Sequence, residues 1–225
     1  MKEMSERHYA VLRRHMVEVI AIHADLAGEE IGKAAIDERV MAAMQAVPRH
    51  AFVPEPLMIH AYQDTPLPIG FNKTISQPFI VALMTDLLSP QSDETVLEVG
   101  TGLGYQAAIL SQLARQVWSV EVIEEFAREA EALLGRLGYA NVGIHIGDGS
   151  RGWAEHAPYD KIMVTAGAVE PPEPLLEQLK PGGRMVLPVG PADSQRLTVI
   201  DKEASGQFQF RKHIPVRFSE LETVR

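Results

Sequence analysis

The chain has 225 residues, 46% of them hydrophobic, and a formal net charge of −9 at neutral pH; this suits one large globular domain, or one with a small appendage, around a substantial core. It contains no cysteine, which excludes disulfides, thiolate zinc sites, iron–sulfur clusters and a cysteine nucleophile. The acidic balance argues against a surface that grips a nucleic-acid backbone, because phosphate contacts need clustered Lys and Arg.

The first stretch, MKEMSERHYAVLRRHM, is charged throughout and lacks the apolar core of a signal peptide. No apolar run is long enough to cross a membrane. A cytoplasmic monomer is the default expectation. Helical periodicity covers residues 6–27 and 37–47. The segment VPEPLMIHAYQDTPLPIGFNK follows, where Pro54, Pro56, Pro66 and Pro68 rule out a regular helix. Residues 1–72 are therefore expected to form a helical N-terminal cap, its irregular segment draped over the carboxyl end of a sheet, and residues 73–225 the ligand-binding domain. At the junction stands KTISQPFIVALM, residues 73–84. The apolar run from Phe79 reads as a helix, and Ser76 and Gln77 before Pro78 make an ordinary helix start. That reading leaves open whether Ser76 does more.

From Thr95 short β-branched runs alternate with helical ones. TVLEV (95–99) reads as a buried strand, Tyr105, Ile109 and Leu113 as a helix face, and VWSV (117–120) as the second strand. A helix through Phe126, Ala130, Leu133 and Leu137 follows, then strands VGIHI (142–146) and DKIMV (160–164). A short helix around Leu175–Leu179 is expected to stop at KPGG (180–183), before a fifth strand RMVLPV (184–189). Strands separated by helices imply parallel pairing with right-handed crossovers. RLTVI (196–200) and QFQFRKHIPV (207–216) are joined only by DKEASG, too short for a crossover helix, so they form an antiparallel hairpin whose last strand is expected to run against the rest of the sheet. The expected fold is α/β: a Rossmann-like, mostly parallel seven-stranded sheet with an antiparallel C-terminal hairpin, an ending more typical of class I methyltransferases than of dehydrogenases.

Where the first strand meets its helix the chain reads LEVGTGLGYQ (97–106). Gly100 and Gly102 match the dinucleotide fingerprint, but its last position holds the bulky Tyr105. The spacing present is Glu98-x-Gly100-x-Gly102-x-Gly104. An acidic residue opening such a loop suits a cofactor with a positive amino-acid group and no pyrophosphate, as in S-adenosylmethionine. Glu121 closes the second strand, where an acidic side chain holds ribose hydroxyls in folds of this class. Asp148, in the GDG turn after the third strand, is placed to accept from an adenine amino group. The histidines, His8, His15, His23, His50, His60, His145, His156 and His213, show no ligand spacing and read as surface or core residues, so no metal is expected.

The stretches DERVMAAMQAVPRHAFVP (37–54), LPIGFNKTISQPFIVALMTDLL (67–88), VLEVGTGLGYQAAIL (96–110), GDGSRGW (147–153), APYDKIMVTAGA (157–168) and LLEQLKPGGRMVLPVG (175–190) together resemble the protein-L-isoaspartate O-methyltransferases. VPRHAFVP and TISQPF are the most specific of them. The resemblance implies a repair enzyme that methylates the α-carboxylate of isoaspartyl residues in proteins and peptides, after which the ester collapses to a succinimide that can reopen as aspartate. It implies Ser76 as the active-site residue, with Thr165, at the end of the fourth strand, near the transferred methyl or the substrate. The cofactor set it implies is Thr74, Ile75, Gln77, Glu98, Gly100, Thr101, Gly102, Gly104, Tyr105, Glu121, Val122, Asp148, Gly149, Thr165 and Ala166.

The chain departs from the family pattern at Leu103, at Ser150, at Gly167, in the ending VRFSELETVR, and in the longer link of residues 19–35. These bear on substrate more than on methyl transfer. The alternatives are a paralogue acting on another carboxylate or a small molecule, and a SAM-binding module without catalysis. A nucleic-acid amino-methyltransferase would carry Asn-Pro-Pro-aromatic where this chain has TAGA, and a dehydrogenase fails at Tyr105.

Overall fold

The computed structural model describes residues 4–223; the outermost ends of both expected domain ranges lie outside them. The chain divides into two compact units, Met1–Asp86 and Leu87–Arg225.

The first unit opens with helix α1 (Glu6–Leu26), which buries Tyr9, Arg13, Met16, Ile20 and Ala24, a stripe at helical spacing. A short α2 (Gly28–Ile31) ends at Gly32, whose φ of 80° closes the turn. In α3 (Glu38–Ala46) Asp37 caps the start, its carboxylate accepting from the Arg39 N–H at 2.8 Å. The proline-rich segment contains no regular helix longer than the 3-10 turns Arg49–Phe52 and Glu55–His60. It also contains a hairpin that the prolines conceal: β1 (Leu67–Gly70) pairs antiparallel with β2 (Lys73–Ile75). Phe71 and Asn72 turn it with φ of 49° and 56°, the mirror-image turn whose twist matches a two-residue hairpin. Helix α4 (Pro78–Leu88) follows, and almost every one of its side chains is buried, as its unbroken apolar sequence requires.

The second unit is a seven-stranded sheet with five parallel strands. They are β3 (Thr95–Val99), β4 (Gln116–Glu121), β5 (Val142–Ile146), β6 (Tyr159–Val164) and β7 (Leu179–Val189). Helices α5 (Tyr105–Ser111), α6 (Glu124–Leu137) and α7 (Glu173–Gln178) connect them. Two further strands, β8 (Gln195–Lys202) and β9 (Phe208–Val216), complete the order β5-β4-β3-β6-β7-β8-β9. The pairs β7–β8 and β8–β9 are antiparallel, so β8 is the one reversed strand and β9 returns to the common direction.

Three local expectations change. The short helix does stop just before KPGG, at Gln178, but KPGG itself lies within a strand. Leu179 already pairs with Tyr159, and Lys180–Gly183 form an irregularity inside β7 before Arg184 pairs with Lys161. Four residues bulged out of one strand explain why Gly and Pro read as a stop. On α6 the inward residues are Phe126, Ala127, Ala130 and Leu134, with Leu137 exposed. Leu113 lies beyond the end of α5.

Candidate active site

The parallel strand order settles which carboxyl ends lie side by side: β5, β4, β3 and β6, in that sequence. The chain leaves β3 towards β4 and β5, then returns to β6 on the other side, so the connections diverge between β3 and β6. Open α/β sheets bind ligands in the crevice at such a switch point. The residues that cap these four ends are Asp148, Glu121, the loop Gly100–Gly104, and Thr165, all from the second unit.

The loop is held by its neighbours on both sides. Gly100, Gly102 and Gly104 have φ of 95°, 53° and 94°, a region that side-chain-bearing residues adopt only under strain. Thr165 Oγ1 donates to the carbonyls of Gly100 and Val99, at 2.7 and 3.0 Å. A Cβ at Gly100 would collide with that same oxygen. From the other side Glu121, buried, accepts from the Gly102 N–H at 2.7 Å on Oε2 and from the Ile123 N–H at 3.0 Å on Oε1. Each carboxylate oxygen has a second lone pair, which leaves acceptor capacity for a ligand hydroxyl. Val122 beside it is half-buried, and Ala166 packs against the sheet core.

Asp148 caps the turn Gly149–Arg151: Oδ1 accepts from the Ser150 N–H at 3.0 Å and the Ser150 hydroxyl at 2.7 Å. Ser150, a departure from the family pattern, thus holds Asp148 in place. A Cβ at Gly149 would strike Val99, which explains glycine there. Tyr105 is 3% exposed and fills the space that a dinucleotide fingerprint keeps small. Leu103 is likewise buried. The donor set therefore fits a nucleoside carrying ribose hydroxyls and lacking a pyrophosphate.

Glu98 differs from its expectation. Its side chain is 0% exposed, held by protein groups under the loop and not open at the strand end. Ser119 on β4 donates to its Oε2 at 2.5 Å, Thr101 Oγ1 lies 2.6 Å from the Ser119 hydroxyl, and Oε1 has no partner. Burial, opposed in part by Ser119 and reinforced by the charge of Glu121, pushes this carboxyl up to about 8.

Two of the other departures explain each other. Gly167 donates to the Ser219 carbonyl and accepts from the Leu221 N–H, both at 2.8 Å, while Gln195 bonds both ways with the backbone of Phe218. A Cβ at position 167 would run into the Gln195 amide. Glycine at 167 and the altered C-terminal ending are one feature: the tail is strapped to the segment that follows β6.

In the first unit, Thr74 and Ile75 belong to β2, with Ser76 and Gln77 between it and α4. Ser76 does not cap that helix. The Phe79 N–H goes to Asp64 Oδ1 at 2.8 Å, while Asp64 Oδ2 takes the Gln77 amide at 2.8 Å and lies 2.6 Å from His23 Nδ1. Arg49, fully buried, donates to the carbonyls of Ala61 at 2.8 Å and Ser76 at 2.7 Å. The backbone at Ser76 is thereby fixed, and its hydroxyl makes no hydrogen bond among the described residues. Sequence reading missed Asp64, Arg49 and Ser119; the only signal was a charged residue (Asp64, Arg49) or a small polar one (Ser119) inside otherwise apolar or turn-rich motifs. Asp64→Ala removes the helix cap and strands Gln77 and His23, so it is expected to lower unfolding free energy by about 2–3 kcal/mol in urea titrations.

No group of three or more His, Asp or Glu among the described residues is arranged to hold a metal ion, and none of their helices is long and apolar enough to cross a membrane.

Comparison with known proteins follows the same lines. The family described as Protein-L-isoaspartate(D-aspartate) O-methyltransferase matches residues 23–224. Protein-L-isoaspartate O-methyltransferase 1 of Polaromonas sp. (strain JS666) is 54% identical, covering 97% of this chain and 93% of that one. Protein-L-isoaspartate O-methyltransferase 2 of Syntrophobacter fumaroxidans is 53% identical, covering 95% and 87%. A solved protein-L-isoaspartate O-methyltransferase superposes with a TM-score of 0.80 at 28% identity, covering 92% of this chain and 65% of that longer one. A Plasmodium falciparum chain, titled a candidate for the same activity and solved with S-adenosyl-L-homocysteine, shares the fold with a TM-score of 0.72 at 23% identity, covering 84% and 92%.

Proposed function

The chain belongs to the protein-L-isoaspartate(D-aspartate) O-methyltransferase family, and from that premise we propose that it moves a methyl group from S-adenosylmethionine to the α-carboxylate of L-isoaspartyl residues in damaged proteins and peptides. The observation that carries this reading is the row of strand ends at the sheet's switch point, Asp148, Glu121, Gly100–Gly104 and Thr165.

When bound, S-adenosylmethionine supplies an electrophilic methyl on a sulfonium. Glu121 is assigned to the ribose hydroxyls and Asp148, with Gly149, to the adenine edge. Gly100, Thr101, Gly102, Gly104, Tyr105, Val122, Ala166, Thr74, Ile75 and Gln77 complete the contact set. The substrate carboxylate has an intrinsic pKa of about 4 and is ionised at neutral pH, so the chain need supply no general base. Its task is alignment and exclusion of water. Ser76 is assigned to the substrate: its hydroxyl donates to one carboxylate oxygen and leaves the other free to attack. Thr165, which fixes Gly100, is assigned to the methyl side. Residues 1–72 are assigned as the helical cap with its substrate-side segment, and 73–225 as the cofactor-binding domain, which also carries Ser76.

A cytoplasmic monomer acting on protein and peptide substrates rather than nucleic acid completes the proposal, and the net charge of −9 supports the last part, against a nucleic-acid substrate; sedimentation at micromolar concentration is expected to give a single 24.8 kDa species. Glu121→Ala is expected to weaken S-adenosylhomocysteine about 10–100-fold in calorimetry, the worth of one hydrogen bond to a charged group. The reaction itself is tested by incubating an isoaspartyl peptide with enzyme and S-adenosylmethionine and following it chromatographically. Gradual conversion to the aspartyl peptide through a succinimide supports repair. An isoaspartyl peak that persists unchanged contradicts it.

A further inference from the structure

Glu98 is the buried carboxyl that the assignments above leave unused. It stands inside the sheet, 0% exposed, and no cation among the described residues pairs with it. On β4 it faces Ser119, with Glu121 two residues further along that strand. On β6 its register partner is Met163, and Lys161, opposite Val96, is 3.6 Å from Glu94. Helix α5 brings Tyr105 as its only titratable group, and α6 turns only Phe126, Ala127, Ala130 and Leu134 inward. From the glycine loop comes the Thr101 hydroxyl. A bare carboxylate with one hydrogen bond, one orphaned oxygen and a second carboxylate nearby is a costly thing to bury. A neutral carboxyl, even with its O–H unpartnered, costs far less.

Resting on the cofactor reading above, we propose that Glu98 is a positioning residue that works as a neutral acid. With its proton on Oε1, it anchors the chain Thr101–Ser119–Glu98 beneath the glycine loop, and the loop takes S-adenosylmethionine only in that state. In this arrangement Ser119 donates to Oε2 and Thr101 donates to Ser119, so the loop's first side chain is tied to β3 through β4. Loss of the proton places a desolvated charge under Thr101 and beside Glu121, whose carboxylate holds the Gly102 N–H from the other side. Two like charges then load the two supports of one loop.

The sign follows from linkage. The carboxyl holds its proton up to a pH of about 8. Affinity that needs the neutral form is full below that value and falls about tenfold for each further pH unit. An ionised Glu98 that paired with the cofactor's ammonium would give the opposite trend, with affinity rising as the proton leaves.

The test uses S-adenosylhomocysteine and the full chain, wild type and Glu98→Gln, titrated calorimetrically at pH 7 and pH 9. The cofactor's own amino group titrates identically in both, so it cancels in their ratio. Between pH 7 and pH 9 the wild type is expected to lose about tenfold more affinity than the variant, in which the amide keeps a neutral acceptor for Ser119. Parallel losses in the two proteins, or a wild type that tightens relative to the variant, overturn the proposal. Infrared spectra of the ligand-free wild type give a second reading that survives a variant that does not fold. A protonated-carboxyl C=O band at pH 7 that fades above pH 9 is expected, and its absence at pH 7 overturns the proposal. Failure of wild type to bind S-adenosylhomocysteine at pH 7 instead sinks the cofactor reading, and the infrared band still decides Glu98.

Discussion

Gly100→Ala is expected to weaken S-adenosylhomocysteine by about 100-fold or more. Two costs add. The backbone at this position has a φ of 95°, and a side chain there costs about 1–2 kcal/mol. The new Cβ also collides with Thr165 Oγ1. Thr165 must then surrender the hydroxyl proton it shares between the carbonyls of Gly100 and Val99, a three-centre bond worth about 1 kcal/mol. The loop relaxes away from the geometry that Glu121 and Thr165 impose on it, and the ligand must pay to restore it. Calorimetric binding and thermal unfolding of the variant check both parts. Gly206→Ala is the control. It too has positive φ, 87°, but a Cβ there meets nothing within 4 Å and it lies in the β8–β9 turn. It should lose some stability and no affinity. If Gly100→Ala binds like wild type, the loop is not the cofactor's cradle.

Ser76→Ala should separate chemistry from folding. The bond that fixes this position runs from Arg49 to the Ser76 carbonyl, which alanine keeps. The helix start is capped by Asp64 and not by the Ser76 hydroxyl. Unfolding free energy is therefore expected to stay within about 0.5 kcal/mol of wild type, as for a change that removes no internal contact. A hydrogen bond to a charged group is worth about 1.5–3 kcal/mol, so kcat/KM for an isoaspartyl peptide should fall about 10–150-fold, with S-adenosylhomocysteine affinity unaltered. Steady-state kinetics beside calorimetry tells these apart. Unchanged kinetics would make Ser76 a piece of well-held backbone and no more.

The parallel strands β3 to β6 were legible because each is a short apolar run with a gap of about a helix's length after it, and TVLEV and VGIHI match β3 and β5 to the residue. KPGG misled because a bulge and a helix stop use the same residues, and only the Tyr159–Leu179 pairing distinguishes them. The hairpin β1–β2 was hidden because its turn is Phe-Asn where the usual signal is Asn-Gly. At the site, the glycine loop and the acidic strand ends were readable from spacing. What they bond to was not. Asp64 caps a helix that starts 14 positions later, from 64 to 78, and Arg49 reaches Ser76 across 27 residues. Contacts of that kind depend on the folded path of the chain, which local pattern does not encode. Glu98 shows the limit most sharply. An acidic residue beside a glycine loop reads as a ligand for a cation, yet β3 is an interior strand buried on both faces, and Glu98 lies opposite Ser119.

The most direct measurement is transfer of radiolabelled methyl from S-adenosylmethionine to two synthetic peptides that differ only in an isoaspartyl or a normal aspartyl linkage. The account predicts base-labile label on the isoaspartyl peptide alone. Equal labelling of both, or none on either from protein that binds S-adenosylhomocysteine, would contradict it and point to another carboxylate as the substrate.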